Sequence, residues 1–547
     1  MTKSKKNDWQ MPRVVFQPQV HQGMQRGISR LVDAIRPTLG PLPRVVVNES
    51  VLDVGQPEFL NDGGIIARRI IQLPNRDEDV GAMYLRQILW KLHETSGDGT
   101  ATAAVMFETI FSRGVRYITA GGNAMLLRHH LEKATELILN QLDDMTIQIH
   151  GREKLSGVAE TICYDPPLAR LLGEIFDIIG PYGNLDVRSG RSRDLEREYV
   201  EGMYWDGAVF SREMITDVAS GRVQLENASI LISDLEANEP QDLVPLLEAA
   251  IQAGIKALFL VLESISDRAL SVILVKSNRE KIQVVAVKAP TSHADARRQS
   301  LEDLAVLTGG RPYYKAAGDT LNGVIIENLG RARRAWADYH NFGIVAGRGD
   351  PRKLRQHIAQ LRAAFKNIKD TDEHKRLQER IGKLMGGSAT LWIGAVTPTE
   401  VERRKELAER TAEAMRGAIR EGVLPGGGVS MIACRGLLER KFHEAQEPDE
   451  RAAYNILLHA FEAPLRTLLI NAGYDPCEIL ASVYQAGPGY GFDVLRRQVV
   501  DMSQSGIFDA ASVVKAAVIG AIHGAALALT VGVVVHRKNP PDASATA

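Results

Sequence analysis

Hydrophobic and polar residues recur with a helical period through the first part of the chain. Apolar residues return every three or four positions from Leu126 to Leu142, which predicts an amphipathic helix. Thr38-Leu39-Gly40-Pro41 interrupts this kind of pattern, and the valine-rich segment Arg44–Val47 after it predicts a strand. We therefore predict a mainly helical region up to about residue 145.

The middle of the chain changes to short apolar runs that alternate with amphipathic segments. The runs Ala257–Leu262 and Val284–Val287 predict buried strands. The segments Asp242–Ala253 and Asp267–Lys276 have helical spacing. This alternation predicts an α/β region.

The last third of the sequence returns to helical patterns. Residues 351–384 predict a charged helical hairpin, and a long helical pattern begins after about residue 400. Ala516–Val535 lacks Asp, Glu, Lys and Arg, so its length alone permits a membrane span. Its alanines, His523 and terminal valines favour a buried helix followed by a strand instead. The tail after His536 is predicted to be disordered.

Composition narrows the class of protein. A length of 547 residues predicts about two to four domains. The formal net charge of -1 argues against a dedicated nucleic-acid binder. Three separated cysteines without a C-x-x-C pair favour a reducing compartment. The N-terminus carries no secretory pattern, so we predict a cytoplasmic protein with no membrane partner.

The segment Ser96–Thr102 carries the strongest chemical signal, because two glycines flank Asp98 and hydroxyl residues follow. Glycines let a backbone approach a ligand closely, and N–H groups at a helix start attract phosphate. An aspartate beside them can hold magnesium. The alternative to a phosphate-binding loop is an ordinary turn that binds no ligand. No Walker G-x-x-x-x-G-K-[ST] motif occurs in the chain.

Ten short motifs in order extend this signal along the chain. The sequence resembles the group I chaperonins, the GroEL family, over nearly its whole length. The motifs are Thr38-Leu39-Gly40-Pro41, Asn61-Asp62-Gly63-Gly64, Gly97-Asp98-Gly99-Thr100, Val200-Glu201-Gly202-Met203, Val287-Lys288-Ala289-Pro290, Leu307-Thr308-Gly309-Gly310, Leu377-Gln378-Glu379-Arg380, Gly422-Val423-Leu424-Pro425-Gly426-Gly427-Gly428, Glu462-Ala463-Pro464-Leu465-Arg466 and Gly506-Ile507-Phe508-Asp509.

The resemblance implies a multidomain α and α/β subunit. It implies a helical equatorial domain from residues 1–145 and 421–547, an intermediate domain from 146–200 and 389–420, and an α/β apical domain from 201–388. Family members assemble as seven-membered rings, usually in stacked pairs, and bind unfolded proteins and a lid-like co-chaperonin. The implied partners are therefore other copies of this chain, unfolded clients and a co-chaperonin.

The resemblance also implies an ATP and Mg²⁺ site. It assigns Asp98 to magnesium and Asp62 to a position near the γ-phosphate and the attacking water. Gly427 and Asp509 correspond to the residues at the ribose and base. The remaining nucleotide contacts correspond to Thr38, Leu39, Gly40, Pro41, Gly99, Thr100 and Thr102.

One departure from the family lies at the position of the residue that promotes hydrolysis. The family's hydrolytic aspartate lies sixteen residues before the glycine triplet, and that position holds Arg410. A guanidinium cannot accept a proton, so we expect hydrolysis to be slowed by about two to four orders of magnitude. Asn61 replaces a family lysine near the γ-phosphate, and Arg410 is a candidate to restore that charge in the manner of an arginine finger. A one-residue slip that turns Glu409 inward is the alternative.

The client-binding surface is implied by apolar positions in the apical region. The positions are Phe210, Met214, Val244, Leu247, Leu270, Leu274 and Val275. An exposed apolar groove suits the capture of unfolded chains. Periodicity alone equally permits these residues to be ordinary helix core.

Two functions remain open at this level. The first is an ATP-dependent folding chaperone with slowed or altered hydrolysis. The second is a chaperonin-derived scaffold or assembly subunit that binds nucleotide with little turnover, alone or in a mixed ring with a conventional chaperonin. The sequence favours the first, because Asp62, Asp98, Gly427 and Asp509 are all retained.

Overall fold

The chain forms two compact units in a computed structural model that describes residues 13–49, 57–180, 183–190, 192–200, 203–217, 221–275, 281–290, 294–368, 370–384 and 388–536. The first unit combines the residues up to Asp177 with those from Ala395 onward, and the second comprises Ile178–Gly394. The finer division into equatorial, intermediate and apical segments stays a prediction. The predicted disordered tail lies outside the described residues.

The N-terminal part of the first unit is helical, with one β-hairpin formed by Val46–Glu49 and Pro57–Leu60 and a short first strand, Val14–Phe16, that pairs with Val533–Val535 from the C-terminal part. Its elements are β1 (Val14–Phe16), α1 (Gln19–Ile35), β2 (Val46–Glu49), β3 (Pro57–Leu60), α2 (Gly63–Arg69), α3 (Arg76–Ser96), α4 (Thr100–Thr119), α5 (Ala124–Asp144), α6 (Arg152–Cys163) and α7 (Pro166–Ile179).

The second unit alternates strands and helices. Its elements are β4 (Asn184–Ser189), β5 (Glu196–Val200), β6 (Met203–Asp206), β7 (Val223–Glu226), β8 (Ser229–Ser233), β9 (Glu236–Ala237), α8 (Pro240–Gln252), β10 (Ala257–Leu262), β11 (Ser264–Ile265), α9 (Asp267–Leu274), β12 (Gln283–Lys288), α10 (Ala294–Thr308), β13 (Pro312–Tyr313), β14 (Gly330–Ala337), β15 (Asn341–Gly347), α11 (Pro351–Asn367), α12 (Thr371–Leu384) and β16 (Ser388–Ile393).

The C-terminal part returns to the first unit. Its elements are α13 (Pro398–Glu421), β17 (Val423–Pro425), α14 (Val429–Glu444), α15 (Pro448–Asn471), α16 (Pro476–Ala486), β18 (Tyr490–Asp493), β19 (Gln498–Asp501), β20 (Phe508–Ala510), α17 (Ala511–Leu529) and β21 (Val533–Val535).

The core of the first unit lies between helices from both chain ends. Helices α4 and α5 pack against α15 and α17, and α1 packs along α3. The most apolar helix, α17, is long and apolar enough to cross a membrane, yet 61% of that stretch is buried inside the molecule. Alanine and valine on nearly every side of α17 suit a helix that is surrounded by others.

The core of the second unit is a sheet with helices on both faces. Its described strands run in the order β12-β10-β8-β14-β15-β6, and β10 is parallel to both of its neighbours. Leu258 and Leu260 face the cluster that contains α8 and α9, whereas Phe259 and Val261 face the cluster that contains α10 to α12. A strand buried on both faces explains why Ala257–Leu262 is continuously apolar.

Most of the elements predicted from periodicity are present. The strand Ala257–Leu262 has the expected bounds, and α5 covers the predicted Leu126–Leu142 helix. The charged hairpin is α11 and α12. The strand expected at Arg44–Val47 begins two residues later, at Val46. The apolar Ala516–Val535 forms most of α17 followed by β21, as expected.

Candidate functional site

The first unit contains a cavity of about 1040 Å³ that collects most of the residues singled out from the sequence. Its wall includes all twelve positions that the sequence assigned to nucleotide or hydrolysis. They are Thr38, Leu39, Gly40, Pro41, Asp62, Asp98, Gly99, Thr100, Thr102, Arg410, Gly427 and Asp509. Residues almost 500 positions apart in the chain therefore meet at one concave site, as a small-molecule site requires.

The Asp98 turn connects α3 to α4, and its two glycines make its shape possible. Gly97 and Gly99 have φ values of 69° and 83°, in the left-handed region that glycine tolerates. A Cβ on Gly97 would lie 2.3 Å from the carbonyl oxygen of Arg410, so the turn touches the backbone of α13. Thr100 then opens α4, whose first N–H groups lie at the cavity wall.

The Asp98 carboxyl group is held in a poorly solvated place. Burial raises the pKa of Asp98, and the charge of Arg410 and the N–H of Gly99 oppose this. A carboxylate in such a position gains from a nearby cation. No cluster of three His, Cys, Asp or Glu side chains suited to a metal occurs among the residues that the structure describes. Magnesium requires only one or two carboxylates when phosphate and water complete its shell, so Asp98 fits that ion.

The segment Thr38–Pro41 leaves α1 and forms a second wall of the cavity. The hydroxyl group of Thr38 donates to the carbonyl oxygen of Ile35 at 2.8 Å, so it closes the end of α1. The side chain of Asn471 donates to the carbonyl oxygens of Arg36 and Leu39 at 2.8 and 2.9 Å. These contacts fix the segment to α15 and thereby set its distance from the Asp98 turn.

Gly427 and Asp509 face each other across the β17–β20 pair. Leu424 pairs with Asp509, and Gly427 follows with a φ of 68°. The N–H groups of Gly427 and Gly428 donate to the Asp509 carboxyl group. Burial, together with the charge of Asp98, raises the pKa of Asp509 to about 7. Asp509 can therefore both donate and accept hydrogen bonds near neutral pH.

Asp62 begins α2 and is almost completely buried, with 3% of its side chain exposed. Its Oδ1 accepts from the N–H of Ile65 at 2.9 Å, and Nδ1 of His93 lies 3.1 Å from the same oxygen. Its Oδ2 accepts from Nη1 of Arg410 at 2.9 Å. Burial favours the neutral acid, but the charge of Arg410 and the His93 contact lower the pKa of Asp62 to about 2.

The register of α13 places Arg410 in the cavity. Arg403, Leu407 and Arg410 line its wall, as expected for positions on one face of a helix. Glu409 lies on the exposed side, so the slip that would turn it inward does not occur. Burial disfavours the charge of Arg410, but Asp62 and Asp98 outweigh this and raise the pKa of its guanidinium.

Sequence reasoning missed one wall and one neighbour of Asp62. The segment between α6 and α7 lines the cavity with Tyr164, which has a left-handed φ of 51°. There, both Nε and Nη2 of Arg404 donate to Oδ2 of Asp165, at 2.9 and 2.8 Å. Nothing in the local sequence marks these residues or His93, because only the fold brings them to the site. Asp62 itself is the N-cap of α2, since its side chain accepts from the N–H of Ile65.

The predicted client-binding residues lie in the second unit, on and beside α8 and α9. Val275 has 49% of its surface exposed, and Phe210, Val244, Leu270 and Leu274 are half-buried. Met214 and Leu247 are buried, with 4% and 5% exposed. These two residues belong to the core beneath α8 and α9, so the accessible apolar surface is confined to the other five.

Comparison with solved structures gives the same architecture. The chaperonin gp146 from bacteriophage EL 2 (Pseudomonas aeruginosa), crystallised in the presence of ATP-BeFx, matches with a TM-score of 0.69 in crystal form I and 0.62 in form II. Both matches have 17% sequence identity and cover 95% of this chain and 98% of the phage chain. The likeness extends over the whole subunit and establishes the multidomain α and α/β chaperonin fold.

Comparison with protein families gives a match of similar extent. The model of the TCP-1/cpn60 chaperonin family matches residues 31–539. That range includes the Asp98 turn, Arg410 and Asp509, and both units of the structure. The GroEL-type resemblance of the ten motifs is thereby confirmed, and this chain belongs to the TCP-1/cpn60 chaperonin family.

Proposed function

We propose that this chain is an ATP-binding molecular chaperone that hydrolyses ATP slowly and captures unfolded proteins as part of a ring. The observation that carries the proposal is the convergence of Asp98, Thr100, Gly427 and Asp509 on one cavity that also contains Arg410. We assign the first four residues to contacts with magnesium, phosphate, ribose and base. The fifth replaces the proton acceptor that hydrolysis needs.

The nucleotide would lie with its phosphates at the Asp98 turn. Backbone N–H groups of Gly99 and Thr100, and the segment Thr38–Pro41, would contact phosphate oxygens. Asp98 would hold Mg²⁺, which neutralises phosphate charge when it is bound. Gly427 and Asp509 would contact the ribose and base. The phage chaperonin of the same fold was crystallised with ATP-BeFx, which supports a nucleotide as the ligand.

Slow hydrolysis follows from the surroundings of the terminal phosphate. An attacking water needs a group that accepts its proton or orients it. The guanidinium of Arg410 has no atom that can accept a proton. It also donates a hydrogen bond to Oδ2 of Asp62, so that oxygen is already engaged. Oδ1 of Asp62 is engaged by Ile65, with His93 beside it. In this arrangement neither Arg410 nor Asp62 is available as a general base.

Assembly into a ring is supported by two exposed strand pairs of the first unit. Among the described residues, β1 pairs with β21 and β2 pairs with β3, each as a two-stranded sheet. They expose large apolar side chains: Phe16 (61%), Val535 (64%), Val47 (59%) and Phe59 (59%). Two-stranded sheets with open edges are marginal alone and prone to pair with another chain. Neighbouring copies in a ring, of seven subunits by analogy with the family, would cover them.

Client capture is assigned to the apolar surface at α8 and α9, around Val275. Unfolded chains or the apolar loop of a co-chaperonin would bind there through hydrophobic burial.

Cys163 and Cys434 are buried, Cys477 is exposed, and all three are free. Free thiols suit a reducing compartment, so we assign the activity to the cytoplasm.

A second candidate function is a nucleotide-binding scaffold or assembly subunit, alone or in mixed rings. The Arg410–Asp62 pair favours it, because a subunit that does not cycle its nucleotide would keep a fixed shape. Refolding of a denatured substrate by the purified ring, with ATP and with or without a co-chaperonin, separates the two functions. Recovery of active substrate in an ATP-dependent manner supports the chaperone. Stable rings that bind ATP but never increase recovery support the scaffold.

A further inference from the structure

Arg410 presents its guanidinium at the end of the cavity that contains the Asp98 turn. Its side chain is 12% exposed and lines the cavity wall. The carbonyl oxygen of Arg410 abuts Gly97, so the helix that carries Arg410 is fixed against the turn. Three carboxylates influence its charge, namely Asp62, Asp98 and Glu406. The guanidinium is thus a resident cation at the place where phosphate is expected.

Asp62 fixes the position of this cation. Its Oδ2 accepts from Nη1 of Arg410 at 2.9 Å, and its Oδ1 is anchored by the N–H of Ile65. The N-cap contact holds the carboxylate to the rigid start of α2. A carboxylate anchored in this way orients the planar guanidinium. The guanidinium has further N–H groups that can donate to a ligand.

Two other arginines of the cavity wall are placed differently. Arg404 directs two nitrogens to Asp165, and Nε of Arg496 lies 3.6 Å from Asp493. Arg496 is carried by the loop between β18 and β19, beside Asp493, and Arg404 is carried by α13 beside the α6–α7 segment. Arg410 is distinguished by its ion pair with Asp62 and by its contact with the Asp98 turn through Gly97.

We propose that Arg410 binds the terminal phosphate of a nucleoside triphosphate, and that the site therefore prefers triphosphate to diphosphate. This inference rests on the proposed nucleotide site. The guanidinium fork matches two phosphate oxygens, and its low exposure strengthens the attraction. A diphosphate lacks the group that Arg410 contacts. Because the same guanidinium accepts no proton, it cannot act as the general base for hydrolysis.

Calorimetric titration of the full-length protein with ADP and with the non-hydrolysable β,γ-imido analogue of ATP, each with and without Mg²⁺, tests this inference. Wild-type protein is expected to bind the analogue at least about tenfold more tightly than ADP, as one charge-assisted contact predicts. Arg410→Gln is expected to weaken analogue binding by about that factor and to change ADP binding by less than about threefold. Lys405→Gln removes a charge from the same helix outside the cavity wall and should leave both affinities unchanged.

The outcomes separate this inference from the proposed function. Failure of wild-type protein to bind either nucleotide overturns the proposed function itself. Equal wild-type affinities, or an Arg410→Gln variant that keeps the full preference, overturn the role of Arg410 while the nucleotide site stands. ADP binding by the variant reports that its cavity is folded. If Arg410→Gln does not fold, Arg410→Lys replaces it, and loss of part of the preference is the expected result.

Discussion

Nη1 of Arg410 donates to Oδ2 of Asp62 across 2.9 Å, and 12% and 3% of the two side chains are exposed. The pair joins α13 to the start of α2, two elements separated by more than three hundred residues of sequence. Arg410 stands at the position at which the chaperonin resemblance implies a hydrolytic aspartate. In the structure its guanidinium pairs with the Asp62 carboxylate.

The first prediction concerns the stability of the nucleotide-free protein. Arg410→Met removes the cation that pairs with the buried Asp62 carboxylate, so we expect a loss of about 3–5 kcal/mol in the free energy of unfolding of the first unit. Adding Asp62→Asn to this variant removes the orphaned charge and should recover part of the loss. Chemical denaturation of the wild type, both single variants and the double variant measures the coupling.

Lys405→Met is the matched control for this cycle, because it removes a cation from the same helix outside the cavity wall. We expect it to change stability little. Strictly additive effects of the Arg410 and Asp62 substitutions would show that the ion pair has no energetic role.

The second prediction follows from the raised pKa of Asp509. Its pKa rises from 3.8 to about 7, so between these pH values the folded state binds more protons than the unfolded state. The free energy of unfolding from this group therefore falls as pH rises. From about pH 5.5 to about pH 7.5, wild-type protein should lose about 1–2 kcal/mol more than Asp509→Asn.

Denaturation of the nucleotide-free protein at several pH values measures this difference. Asp501→Asn, on the neighbouring β19, serves as the control because Asp501 does not line the cavity. The same pH slope in wild type and Asp509→Asn would contradict the account of the Asp509 environment.

The third prediction concerns assembly through the exposed strand pairs. Phe59 is 59% exposed on β3, and its burial against a neighbouring copy would contribute about 1.5–3 kcal/mol at each interface. Phe59→Asp should shift the protein from rings to smaller species in analytical ultracentrifugation and electron microscopy. Met125→Asp alters a residue of similar exposure, 60%, away from both strand pairs and should leave assembly intact. Rings of unchanged size in Phe59→Asp would exclude this interface.

The fourth prediction concerns client capture at α9. Val275→Glu places a charge on the most exposed of the apolar positions and should weaken binding of a denatured substrate by about fivefold. Suppression of substrate aggregation measures this binding. Ile325→Glu changes another exposed residue of the second unit, 52% exposed and outside α8 and α9, and should have little effect. Equal losses in both variants would show that capture does not depend on this surface.

The sequence predicted the fold well where one pattern determines one element. The continuous apolar run Ala257–Leu262 predicted a buried strand, and the structure buries that strand on both faces. The start of β2 was predicted less well. The strand begins at Val46, where pairing with Leu60 begins, and not at the start of the valine-rich segment. A local run of apolar residues does not indicate which strand it pairs with or at which residue the pairing begins.

The site was predicted only in part, for a similar reason. Motif order located the Asp98 turn, Gly427 and Asp509, and the left-handed φ values of Gly97, Gly99 and Gly427 explain the glycines of these motifs. It also located Arg410 as a departure, but not its contact with Asp62. His93 and Tyr164 carry no local signal, since their roles arise from the packing of α3 and α6 around the cavity. Met214 and Leu247 were implied as client-binding positions by the family resemblance, yet tertiary packing buries them.

The most direct test is a single-turnover measurement of phosphate release from ATP with protein in excess, for wild type, Arg410→Asp and the control Lys405→Asp. We predict that wild type and control bind ATP yet release phosphate slowly, and that Arg410→Asp releases it about 10²–10⁴-fold faster, since a positioned carboxylate supplies general base catalysis. Wild-type release as fast as that of Arg410→Asp would contradict the account.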